Sequence, residues 1–110
     1  MKVELYYFEG CPNYDKAAEI LQLTLKNMEI DIPIDMINIE DDETAKTLKF
    51  IGSPSIRIDD KDVDPTQRDN TDYSLRCRIY RTDNGVMGWP PPSMIADALA
   101  EAKKHDKSLP

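Results

Sequence analysis

Two cysteines, Cys11 and Cys77, are the residues of this 110-residue chain best suited to covalent chemistry. A thiolate is both a nucleophile and a ligand for soft metals. Cys11 lies in "EGCPNY" (9–14), directly after a short apolar run, and Tyr14 stands where the second thiol of a C-x-x-C would be. A cysteine at the mouth of a helix meets unpaired N–H groups and the positive end of the macrodipole. Such a setting lowers a thiol pKa from about 8.5 toward 7 or below. The charges of Glu9 and Asp15 oppose the effect. The turn and Pro12 are expected to direct the thiol outward, which favours a reactive Cys11 over a small residue that merely closes a strand–helix turn. Cys77, in "RCRIY" (76–80), has two open readings. It is either a thiol that resolves Cys11 across space, which needs Cα atoms within about 7 Å, or a buried hydrophobe, as free cysteines often are.

Other side chains offer less. The two cysteines are too few for a disulfide framework or a four-thiolate zinc site, and the lone histidine, His105, sits in a charged tail. "DKDVD" (60–64) imitates the opening of a calcium loop, but Pro65 and Thr71 occupy the places that require Gly and Glu. It reads as a solvated acidic turn that protects a sheet edge. Arg76 and Arg78 point away from Cys77 in a strand and read as solvated arginines paired with the acidic loop. No metal or cofactor is expected. A net charge of −7 and a pI near 4.6 argue against nucleic acid and anionic membranes. The N-terminus lacks the pattern of a signal peptide, and no apolar run reaches the length of a membrane span. Cytoplasm is the expected compartment, where thiols are kept reduced.

The elements that position these residues follow from pattern. "VELYYF" (3–8) predicts a strand. Pro12 suits a first helical turn, and Ala17, Ala18, Leu21, Leu25 and Met28 recur at helical spacing, with Ile20 and Leu23 widening the stripe. "IPIDMINI" (32–39) reads as a strand buried on both faces. Asp41 or Asp42 caps a short helix that turns Ala45, Leu48 and Phe50 inward. A Gly–Ser–Pro turn leads to a strand at 55–58, and Val63 begins a return strand. Residues 64–75 read as loop. "RCRIY" and "VMGW" flank the turn signal "TDNG", a second hairpin. A proline-opened helix follows, with Met94, Ile95, Ala98, Leu99 and Ala102 on its inner stripe, and residues 105–110 read as a frayed tail. At this length one domain over 1–104 is expected.

In order, strand–"GCPNY"–helix, a second strand and helix, and "GSPSIRI" with a hairpin resemble the thioredoxin/glutaredoxin superfamily. Within it, "YFEGCPNY", "GSP", "VDP" and "SLRCRIY" look like a small prokaryotic thioredoxin-like group. The resemblance covers about residues 1–64 and the final helix, and it implies an α/β fold with a mixed sheet of about four strands flanked by helices. The segment 66–91 departs from the pattern as an insertion before the last helix. In the superfamily a cis-proline precedes the third strand and faces the active-site cysteine. Pro54 matches it, where a bland turn proline would be trans. A cis Pro54 exposes the backbone of Ser53, to which an extended substrate adds as a strand. Tyr14, one turn beyond Cys11, is the aromatic best placed to shape the site, while Tyr6 and Phe8 suit the core.

The reading that follows is thiol–disulfide exchange with a protein or small-molecule partner, with Cys11 as nucleophile and Cys77 or an external thiol resolving it. Ser53, Pro54 and Tyr14 would hold the substrate. Two alternatives stay open: a non-catalytic docking module on the same fold, and thiolate binding of a soft ion such as mercury or Cu(I).

Overall fold

The computed structural model describes residues 1–105. It is a mixed α/β arrangement: β1 (Val3–Tyr7), α1 (Tyr14–Asn27), β2 (Asp35–Asn38), α2 (Asp42–Thr47), β3 (Ser55–Ile58), β4 (Lys61–Asp62), β5 (Tyr80–Thr82), β6 (Gly85–Met87) and α3 (Pro92–His105). Four strands form one mixed sheet in the order β2-β1-β3-β4. β1 runs parallel to β2 and antiparallel to β3, with Leu5 opposite both Met36 and Ile56.

Strand alternation divides β1 between two cores. Val3 and Leu5 join Ile56 and Ile58 beneath α1 and α3, where Ala17, Leu21, Leu25, Ile95 and Leu99 are buried. Tyr6 faces the other way and packs with Ile39, Ala45 and Phe50, against α2. Phe8 is partly buried on that second core, as its core assignment requires. Arg57 fastens α2 to the sheet. Its guanidinium lies 4.1 Å from the Tyr6 ring centroid and donates to the carbonyls of Leu48 and Lys49, at the helix C-terminus. At the other end, Asp41 is the cap: its carboxylate accepts from the Thr44 N–H at 2.7 Å, which holds the Asp41 carboxyl below its ordinary pKa.

Several expectations need correction. α1 starts at Tyr14, not Pro12: Cys11 N–H bonds back to the Phe8 carbonyl in a turn, and Asn13 is the cap residue. Leu23 is 57% exposed, off the buried stripe. β2 is a sheet edge rather than a strand buried on both faces, and Met36 is 44% exposed. The return strand is the pair Lys61–Asp62, and Pro65 opens a 3-10 turn inside the stretch read as loop. The second hairpin is present as β5–β6, a separate two-stranded sheet, but β5 begins only at Tyr80, and the rest of 76–80 contributes an isolated bridge at Cys77 instead of a strand. His105 ends the backbone of α3 instead of beginning a tail, and the rest of that tail, 106–110, lies outside the described residues. No described helix is long and apolar enough to cross a membrane.

Candidate functional site

The site lies at the C-terminal end of β1, where the chain turns through Cys11 into α1 and where the loop before β3 comes alongside. The Ser53–Pro54 peptide bond is cis. Ser53 and Pro54 are buried, and the Cys11 thiol donates to the Ser53 carbonyl at 3.7 Å.

The insertion returns to this point. Ser53 N–H donates to the Arg76 carbonyl at 2.8 Å, and Arg78 N–H donates to the Ser53 carbonyl at 3.0 Å. Ser53 and Cys77 thus form a parallel bridge. The backbone expected to be open for an added strand is already paired, because the chain folds its own residues 76–78 onto it. The Cys77 thiol lies within electrostatic range of the Cys11 thiol, which itself donates to the Ser53 carbonyl. Two residues far apart in sequence therefore converge on Ser53, and both thiols are free.

The exposure of Cys11 is the reverse of what the sequence led us to expect, and that of Cys77 decides against one of its two readings. Cys11 is only 2% exposed, so the turn does not present its thiol outward. Cys77 is exposed, not a buried hydrophobe. Desolvation, then the neighbouring Cys11, push the Cys77 thiol above its ordinary pKa. Alkylation of Cys77 by iodoacetamide should therefore rise with pH along a curve centred above the ordinary thiol value. Cys11→Ala should move that curve down by removing the neighbour's contribution. A midpoint at or below the ordinary value in the unsubstituted protein would contradict the pairing.

Arg78 anchors the segment. Its guanidinium forms a two-pronged ion pair with Asp62, at 2.7 and 3.2 Å, and donates to Ser55 Oγ at 3.1 Å. Both side chains are buried, at 6% and 8% exposure. Tyr80 Oη donates to the Pro54 carbonyl, and burial pushes its phenol far above the ordinary value. Arg78 is therefore not a solvated strand arginine, and Asp62 is not part of a solvated acidic turn. Arg76 does behave as expected, pairing with Asp72 at 2.9 Å. Asp62, Ser55 and Tyr80 were missed as site-building residues. The available signal was the period-2 pattern of 76–80, which sets Arg76, Arg78 and Tyr80 on one side and Cys77 and Ile79 on the other.

Gly52 lets this packing happen. Its φ is +137°, and a Cβ built there would come within 2.7 Å of Arg78 Cβ. Gly52→Ala should destabilise the protein by about 2 kcal/mol or more, from backbone strain plus displacement of residues 76–78. Urea denaturation measures this, and a loss below about 0.5 kcal/mol would show that the contact is slack. On the far side of the Cys11 turn, Tyr14 stacks on Tyr7, with ring centroids 4.4 Å apart. The phenol of Tyr14 is raised mainly by the charge of Asp15, with smaller contributions that include Cys11. Tyr14 thus lies within electrostatic range of the Cys11 thiol, while its ring is engaged by Tyr7. The Ser53 hydroxyl is buried with no hydrogen-bond partner among the described residues.

Among the described residues, no group of three or more His, Cys, Asp or Glu side chains could hold a metal ion. The chain matches no family model, no curated protein and no solved structure.

Proposed function

We propose that this chain is a thioredoxin-like thiol–disulfide exchange protein whose redox couple is Cys11 and Cys77. The observation that carries the reading is the convergence of the two cysteines of the chain on Ser53: Cys77 is bridged to its backbone, and the Cys11 thiol donates to its carbonyl. The thioredoxin-like assignment is supported by the order of elements, by the mixed sheet with β1 central, and by the position of Pro54 immediately before β3. The missing thiol at position 14 is replaced by one supplied from the insertion. In a reducing cytoplasm the resting form is the dithiol.

Mild oxidation followed by non-reducing peptide mapping tests the proposal. The expected product is an intramolecular Cys11–Cys77 link with loss of two hydrogens. Recovery of both cysteines as free thiols, or of intermolecular links alone, would refute it.

The docking-module alternative loses ground, because the surface it needs beside Pro54 is filled by residues 76–78. The soft-ion alternative keeps one specific observation: two neighbouring thiols, with no group of three or more ligating side chains among the described residues, suit linear coordination. Titration with Cu(I) against thiol labelling distinguishes it. Protection of both thiols by one equivalent favours the metal reading.

A further inference from the structure

Building on the exchange reading, we propose that Cys77, not Cys11, is the sulfur that first meets substrate, and that the substrate is a low-molecular-weight disulfide rather than an extended polypeptide. Three observations carry this. Cys11 is 2% exposed, whereas Cys77 is exposed. Both hydrogen-bonding groups of the Ser53 backbone are taken by residues 76–78, so a polypeptide cannot add as a strand at Ser53, beside Cys11. That segment is held by the buried Arg78–Asp62 pair and by Tyr80 on the Pro54 carbonyl, so admitting a polypeptide requires breaking buried contacts. Cys77 itself opens onto a groove of about 830 Å³ that includes Arg76, Ile79, Arg81 and Met94. Small ligands fit sites of this size.

The Cys77 thiol loses its proton to solvent and the thiolate attacks one sulfur of R–S–S–R. A Cys77–S–S–R bond forms, the substrate S–S bond breaks, and RS⁻ leaves to take up a proton. Cys11 then gives up its proton and attacks the Cys77 sulfur. The protein disulfide forms and a second RSH departs. The substrate disulfide is reduced by two electrons, and the dithiol is oxidised by two. The raised pKa of Cys77 makes the first step faster at higher pH and leaves the thiolate, once formed, intrinsically more nucleophilic.

The test uses 2,2′-dithiodipyridine, a neutral disulfide whose released thiopyridone is followed by absorbance. The reduced protein is given substoichiometric reagent and quenched early in acid. Peptide mapping should find the first pyridyl adduct on Cys77. Cys11→Ser should release one equivalent of thiopyridone at close to the unsubstituted initial rate and retain the adduct, and Cys77→Ser should react at least tenfold more slowly. Mapping on the unsubstituted protein gives the same answer if either variant misfolds. A first adduct on Cys11, or an undiminished rate in Cys77→Ser, overturns the assignment of entry. Insulin should be reduced at least tenfold more slowly than the small disulfide, each rate taken relative to free dithiothreitol. Equal relative rates overturn the substrate class. A Cys77 adduct that never releases the second thiopyridone supports Cys77 as the entry point and instead refutes the Cys11–Cys77 couple.

Discussion

Replacing Arg78 with Ala should remove about 3–5 kcal/mol of stability, more than a typical single substitution costs. The size follows from what remains. Asp62 would keep its carboxylate in a site it shares with buried neighbours, with its two-pronged partner gone. Ser55 Oγ would also lose a donor. Because Arg78 holds residues 76–78 on Ser53, the same change should free that segment and speed alkylation of Cys11. Replacing the pair together, Arg78→Met with Asp62→Leu, should recover most of the lost stability, because no unpaired charge is left behind. Urea denaturation of the reduced protein measures all three forms. A loss under about 1 kcal/mol for Arg78→Ala would mean that Asp62 is rescued by solvent and that the pair is not the anchor.

The second large effect belongs to oxidation. A Cys11–Cys77 disulfide closes a loop of about 65 residues, and constraining the unfolded chain to that extent is worth about 4 kcal/mol. Both cysteines already converge on Ser53 in the reduced fold, so little native distortion should subtract from this. The oxidised protein should therefore unfold at a distinctly higher urea concentration, with a melting temperature raised by roughly 15 °C. By the same thermodynamic cycle, folding should make the disulfide harder to reduce by about 90 mV. The couple would then act as a reductant of substrates rather than as an oxidase. Unchanged or lower stability after verified formation of the link would show that the disulfide distorts the segment, and would weaken the case for a working couple.

Local elements were legible in the sequence because their signals are local. The β-branched and aromatic run gives β1, the helical spacing of Ala17, Leu21 and Leu25 gives α1, and "TDNG" gives the β5–β6 turn. Boundaries were less so: Pro12 is compatible with a helix start, yet the Cys11–Phe8 turn delays it to Tyr14. The apolar run at 32–39 gave β2, but nothing in it marks a sheet edge, which depends on where the other strands go. The approach of Cys77 to Cys11 was open in principle, since the hairpin after Pro54 leaves from the same end of the sheet. The exposure of each thiol was not, because it depends on which segment pairs with Ser53. Those partners are backbone groups, and a sequence does not mark them. Arg78 was misread for a related reason: its partner Asp62 lies in a run of acidic residues that resembles an ordinary solvated turn.

The seating of residues 76–78 on Ser53 has a consequence for hydrogen exchange. The amides of Ser53 and Arg78 are tied to each other's segment rather than to the four-stranded sheet. They should exchange together, through a local opening that leaves the amides of the central Leu5–Ile56 pairing protected. Oxidation should slow the first pair and leave their order relative to the sheet intact. The free energy of that opening is the threshold a polypeptide partner must overcome to reach Cys11.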